Sequence, residues 1–142
     1  MYCAASDILT IMPETDLIEL TDDTIPPADV KVAVVDRAVS DAGELIDGYL
    51  RGRYRLPLSP VPGLLNTLAA DIAVYRLYAR RLRLTPPETV TERYKNALKL
   101  LELIQAGKVA LGADTGGVLE ATGGPRFTTS GRVFSQETLR DY

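Results

Sequence analysis

Clusters of proline constrain the fold of this chain more than any other feature of its sequence. Pro26-Pro27, three prolines between Arg55 and Gly63, and Pro86-Pro87 each interrupt regular structure, because proline lacks a backbone N–H and clashes with the preceding helical turn. Between the clusters, apolar residues recur every three or four positions, which is the spacing of one helix face. The sequence therefore predicts an all-α fold.

Two short N-terminal helices and three long helices are expected, giving a four-to-five-helix bundle. The predicted segments are 6–12 with Ser6 as N-cap, 14–20, 28–53, 63–84, and 88–106 with Thr85 as N-cap and Gly107 as C-terminal stop. The predicted buried stripes are Val32, Val35, Val39, Ala42, Ile46 and Tyr49; Leu65, Leu68, Ile72, Tyr75 and Leu82; and Val90, Tyr94, Ala97, Leu98, Leu101 and Ile104. Ala69, Ala70, Ala73 and Ala79 are small enough to let neighbouring helices approach closely.

The last part of the chain has a different character. Residues 112–142 contain six of the eleven glycines and show little apolar periodicity. Such a segment is predicted to be a flexible, extended arm. Its candidate anchors on a partner are Phe127, Val133, Phe134 and Leu139. We therefore expect a helical domain over 1–111 and a C-terminal arm over 112–142.

Composition argues against an enzyme. The chain has no histidine, the commonest acid–base catalyst and metal ligand, and its single cysteine, Cys3, near an end expected to be exposed, cannot form an internal disulfide. Asp41, Glu44 and Asp47 lie near one helix face and could be imagined as metal ligands, but a solvated acidic face explains them better. No catalytic residue, metal or cofactor is predicted. With no apolar run near ~20 residues and no signal-peptide pattern, we expect a protein made in a cytoplasm, with no membrane partner.

Charge is unevenly distributed along the chain. Residues 1–50 carry eleven acidic and two basic side chains, whereas residues 51–83 carry seven arginines and one acid. The arginines are Arg51, Arg53, Arg55, Arg76, Arg80, Arg81 and Arg83. If the fold keeps these segments apart, the molecule has an acidic side and a basic side that can join copies head-to-tail. The arginines, together with Asp41, Glu44 and Asp47, are therefore candidate subunit-interface residues. Interleaved Tyr54, Tyr75 and Tyr78 leave an alternative open, in which the arginines bind nucleic acid.

Four blocks in order carry a family resemblance: residues 41–58, which end in Tyr-Arg-Leu-Pro-Leu, followed by 69–78, 92–101 and 107–111. In order and spacing they resemble a family of short proteins of Mu-like phages and prophages that has no assigned function. Genes of this family typically lie between those for the major head protein and the tail. The resemblance covers about residues 1–111.

That family is similar in helical layout to the head–tail connectors of lambdoid and related phages, which form rings of about twelve subunits beneath the portal. The resemblance implies an adaptor in the virion neck, made in the host bacterium and without catalytic residues. Its implied partners are other copies of itself, the portal protein and the next neck or tail-completion protein, with DNA as passing cargo. It also gives the C-terminal arm a role, folding onto a portal subunit or a neighbouring copy. The alternative is a small nucleic-acid-binding or DNA-packaging accessory protein that uses the arginines between Arg51 and Arg83.

Overall fold

Five α-helices make up the regular structure of residues 1–112, the part of the chain that the computed structural model describes. They are α1 Ala5–Leu9, α2 Glu14–Thr21, α3 Val32–Leu50, α4 Gly63–Arg80 and α5 Glu88–Gln105. The predicted all-α class, with two short helices before three long ones, is confirmed. No helix of the described part is long and apolar enough to cross a membrane. The predicted arm anchors Phe127, Val133, Phe134 and Leu139 lie outside the described residues.

Helix α4 is the centre of the bundle, since all four other helices contact it. Ala69, Ala70 and Ala73 are almost fully buried, as expected of small residues between packed helices, whereas Ala79, predicted with them, is exposed. A helix surrounded in this way is apolar on several faces rather than along one stripe. Helix α3 shows the single stripe instead, with Val35, Val39, Ala42, Ile46 and Leu50 buried.

A stacked aromatic pair and an ion pair join α5 to α4. The rings of Tyr75 and Tyr94 lie nearly parallel with centroids 3.9 Å apart, and the Arg93 guanidinium donates to the Asp71 carboxylate at 2.8 Å. Gly107, where φ is +77°, stops helix α5 as the sequence predicts. Gly107 N–H donates to the Ile104 carbonyl and Lys108 N–H to the Leu103 carbonyl, at 3.0 and 2.9 Å. This pair of bonds is the Schellman motif, which places glycine in the left-handed conformation.

Helix α3 begins four residues later than predicted, because a buried carboxylate holds the preceding loop in a turn. The Asp22 side chain, only 1% exposed, accepts hydrogen bonds from the backbone N–H groups of Thr24, Ala28 and Asp29 at 3.0 to 3.3 Å. The bonds from Ala28 and Thr24 hold the pKa of the Asp22 carboxyl well below its usual range. As a consequence Val32, predicted to lie in the buried stripe, is 61% exposed.

Helix α4 ends at Arg80 rather than at Leu84, and its C-cap residue, Arg81, has an extended backbone. Leu82 therefore does not continue the buried stripe and is 98% exposed. Two predicted N-caps are also wrong. Pro87, not Thr85, precedes α5, and α1 begins before Ser6, with the Asp7 carboxylate accepting the Ala4 N–H at 2.7 Å.

Candidate functional site

A groove lies between α3 and α4 on the surface of the bundle. The groove is lined by residues 33–41 of α3 and 76–80 of α4, and farther along α3 residues 41–45 share a hollow with Arg76, so the two helices run antiparallel along the groove. It has a volume of about 540 Å³. Its floor consists of small and apolar side chains: Ala33, Val34, Ala38, Leu77 and Ala79. Its rim consists of charged ones: Arg37, Asp41, Arg76 and Arg80. A second hollow of about 400 Å³ continues it along Glu44 and Leu45.

The groove collects four of the ten predicted interface residues, namely Asp41, Glu44, Arg76 and Arg80. Asp41 accepts from the Arg37 Nε at 2.9 Å within α3, an exposed ion pair of small energetic worth. Glu44 and Arg76 have no ion-pair partner among residues 1–112. Their charges are therefore free to meet opposite charges on another molecule.

Arg80 and Arg81 are occupied inside the chain, where they hold the C-terminus of α2. Arg80 donates to the Leu20 carbonyl at 3.1 Å, and Arg81 donates to the Glu19 and Asp22 carbonyls at 2.9 and 2.6 Å. Both guanidinium groups also pair with the Asp23 carboxylate, and Arg80 in particular lowers its pKa. Positive groups at a helix C-terminus stabilise its unpaired carbonyls. At this end of the bundle the fold does not keep the acidic and basic segments apart, so the condition for separate acidic and basic sides is not met here.

The seven predicted arginines do not form one patch. Since α3 and α4 are antiparallel, Arg51, Arg53 and Arg55 follow α3 at one end of the bundle, while Arg80, Arg81 and Arg83 lie at the other. The length of α4 separates them by about 27 Å, at 1.5 Å per helical residue. Arg53 is half-buried, with its guanidinium against Gly107. Arg51, Arg55 and Arg83 are exposed.

Asp47 also turns inward rather than joining an acidic face. Its carboxylate accepts a hydrogen bond from the Tyr2 hydroxyl, and burial, followed by this bond, raises the pKa of Tyr2. Cys3, next to Tyr2, is 5% exposed, which corrects the expectation that this cysteine lies in an exposed segment. Burial raises the pKa of its thiol to about 11, so it is not a reactive thiolate at neutral pH.

Exposed apolar side chains form a surface that sequence reasoning missed. Ile25, Val32, Leu82 and Leu84 are 97%, 61%, 98% and 47% exposed. They lie at one end of the bundle, where α3 begins and α4 ends, and the Asp23–Arg80 pair keeps the loop of Ile25 beside them. We call these four residues the apolar end. A sequence signal did exist, since Ile25, Leu82 and Leu84 each lie within four residues before a proline pair, where regular structure is expected to break.

The opposite end of the bundle carries a smaller group. Val61 and Leu64, at the start of α4, are 39% and 38% exposed. Met1, 85% exposed, precedes Tyr2, whose carbonyl accepts a hydrogen bond from the Asn66 side-chain amide in the first turns of α4 at 3.0 Å. Nearby, the buried Tyr54 hydroxyl accepts the Leu111 N–H at 3.3 Å. The chain is therefore tethered to the bundle at Leu111, next to the last described residue.

No group of three or more metal-ligating side chains occurs within residues 1–112, and the groove holds no cluster of acid–base side chains with shifted pKa values. What the site offers is a pair of surfaces suited to contact with other molecules: an apolar-floored groove with charged edges, and an apolar end beside it.

Comparison with known proteins decides the family. The model of the family described as Bacteriophage Mu, Gp36 matches residues 2–129. The chain belongs to this family. It is 32% identical over 111 residues to the Mu-like prophage FluMu protein gp36 of Haemophilus influenzae, covering 78% of this chain and 76% of that protein. It is 31% identical over 114 residues to gene product J of Escherichia phage Mu, covering 80% and 78%. The resemblance to proteins of Mu-like phages and prophages is thus confirmed.

Proposed function

We propose that this member of the Mu Gp36 family is a structural protein of the virion neck, a head–tail connector whose copies form a ring between portal and tail. Its partners would be neighbouring copies, the portal protein and the next neck or tail-completion protein, and packaged DNA would pass through the lumen. Family membership supports the phage setting. The helical layout and the distribution of surface features support the adaptor role.

One observation carries the proposal: the small bundle exposes apolar side chains at both of its ends. Ile25 and Leu82 mark one end, and Val61 and Leu64 the other, about one helix length apart. Large apolar side chains exposed together on one part of a surface commonly mark protein contacts. An adaptor needs two separate contact surfaces for its two neighbours, and a lateral surface, here the α3–α4 groove, for the next copy in the ring.

The experiment is quantitative detection in purified virions. We expect about a dozen copies per particle, at the neck, as a closed heterologous ring requires a fixed copy number. Particles that carry the full set of head and tail proteins but lack this chain would contradict the connector role.

The arm is tested by deletion of residues 112–142. We expect the helical domain to stay folded, because its core lies within residues 2–104, while the joining of heads to tails is abolished. Infectious particles from the truncated protein would contradict a role for the arm.

Nucleic-acid binding is less well supported by the geometry, since the arginines lie at two ends and Arg80 and Arg81 already contact carbonyls of α2. Titration with DNA at increasing salt separates the two functions. A protein that binds phosphates loses affinity steeply with salt, and a connector shows almost no binding to lose.

A further inference from the structure

The apolar end is held in a fixed shape, which distinguishes it from a frayed loop. The buried Asp22 carboxylate fixes the loop that carries Ile25 through three backbone hydrogen bonds. Arg81 fixes the other side of this end by donating to the Glu19 and Asp22 carbonyls. Two side chains that are almost fully exposed, Ile25 and Leu82, therefore protrude from a preorganised surface. Preorganisation lowers the entropic cost of binding a partner.

The groove has the shape to receive such side chains. Three alanines in its floor, Ala33, Ala38 and Ala79, leave a concavity of about 540 Å³, which is room for several leucine-sized groups. The chain does not fill its own groove with Leu82, whose 98% exposure shows that it points away into solvent. An apolar protrusion and an apolar hollow thus occur on one molecule, side by side and both unfilled.

The charges flanking the two surfaces are complementary. Arg83 lies within the apolar end, and Asp29 lies in the loop just before Val32. Glu44 and Arg76 border the groove. None of these four side chains has an ion-pair partner among residues 1–112. Each surface therefore offers one unpaired charge of each sign to the other, so that two ion pairs between molecules can form when the apolar end meets the groove.

We propose that the apolar end of one copy docks into the α3–α4 groove of a second copy of this chain. Leu82 and Ile25 enter the hollow over Ala33 and Ala79, and the unpaired charges of each surface meet those of the other. The contact joins two different surfaces and so repeats head-to-tail, closing as a ring when the rotation allows. This inference rests on the proposed connector function, for which it names the contact between subunits.

Paired cysteine variants test the contact. Leu82→Cys and Ala79→Cys both fall at exposed positions, so the fold is preserved, and the buried native Cys3 does not compete. The two variants, carrying tags of different mass, are mixed at high concentration and oxidised. We expect the mixed disulfide dimer to exceed, by about tenfold or more, the dimer from the matched control of Leu64→Cys with Ala79→Cys, because docking raises the local thiol concentration.

For the test within particles both cysteines are placed in one chain, and the groove position is moved to Ala33, which is also exposed, because cysteines at 79 and 82 are only three residues apart and would form a disulfide within the chain. After oxidation of assembled particles, a ladder of dimers, trimers and larger species with Leu82→Cys/Ala33→Cys, and not with Leu64→Cys/Ala33→Cys, supports the head-to-tail contact. Cross-linking no greater than the control in both solution and particles overturns it, even when the chain is found at the neck. A dimer joined by two disulfides, with no larger species, supports the contact between the apolar end and the groove but contradicts a ring. Absence of the chain from particles contradicts the connector function and leaves the contact to be judged from the solution experiment.

Discussion

Two glycines of this protein should respond in opposite ways to the same substitution. Gly43 lies in the middle of α3, where an added Cβ would be 3.7 Å from Cδ2 of Tyr2, an ordinary contact distance. A glycine inside a helix destabilises it by about 1 kcal/mol relative to alanine, mainly through backbone entropy. We therefore expect Gly43→Ala to raise the free energy of unfolding by about 1 kcal/mol.

Gly107 has the reverse situation, because its φ of +77° is costly for any residue with a Cβ. Alanine in the left-handed conformation costs about 1–2 kcal/mol. In addition, the new Cβ would lie 2.3 Å from Nη1 of Arg53, so this guanidinium must move from the C-terminus of α5. We expect Gly107→Ala to lower the free energy of unfolding by about 1–2 kcal/mol, the flexible side chain adding little beyond the backbone cost.

Urea unfolding followed by circular dichroism measures both effects, with an unchanged slope as evidence that the unfolded states are comparable. The two variants should differ by about 2–3 kcal/mol, and their melting temperatures should move in opposite directions by several degrees. Adding Arg53→Ala to Gly107→Ala separates the steric part from the backbone part in a double-mutant cycle. A Gly107→Ala protein as stable as the Gly43→Ala protein would refute the reasoning.

Four further predictions follow from the ionisation, packing and surface of the described residues. Asp22→Asn should lower the free energy of unfolding at pH 7. Because folding lowers the pKa of the Asp22 carboxyl, the carboxylate stabilises the fold above its ordinary pKa of about 3.9, and this contribution is lost as pH falls. In acid unfolding the variant should therefore lose less stability than the natural protein. Cys3, with its pKa raised to about 11 by burial, should react with a thiol reagent at pH 8 far more slowly in the native protein than in urea, and equal rates would show that the N-terminus is not packed. Tyr54→Phe should lower the free energy of unfolding by about 1 kcal/mol or less. It should also speed hydrogen exchange at the Leu111 amide, which loses its acceptor, without changing exchange at the neighbouring Gly112 amide. Leu101→Ala, a fully buried position, should cost about 2–5 kcal/mol, whereas Leu82→Ala should leave the melting temperature within a degree or two.

The candidate surface could be predicted from the sequence only in part. Asp41, Glu44, Arg76 and Arg80 were identified from charge alone, and the structure brings these four to one groove. Charge could not show that Arg80 faces the carbonyls of α2, or that Asp47 bonds to Tyr2, since both contacts join segments far apart in the chain. The exposure of Val32 and Leu82 was missed because helical spacing is the same for a residue just inside a helix and for one just beyond its end.

The sequence by itself determined the elements of this protein. Local rules suffice for that: proline breaks helices, apolar spacing of three and four marks a buried face, and Gly107 ends α5 because only glycine accepts its backbone conformation at low cost. Tertiary structure alone decided where the helices begin and end against one another. Arg81 holds the end of α4 through hydrogen bonds to the Glu19 and Asp22 carbonyls, about sixty residues away in the chain. The Asp22 bonds that delay α3 are local, but the packing that buries this carboxylate is not, and the two contacts together create the apolar end and set it beside the groove.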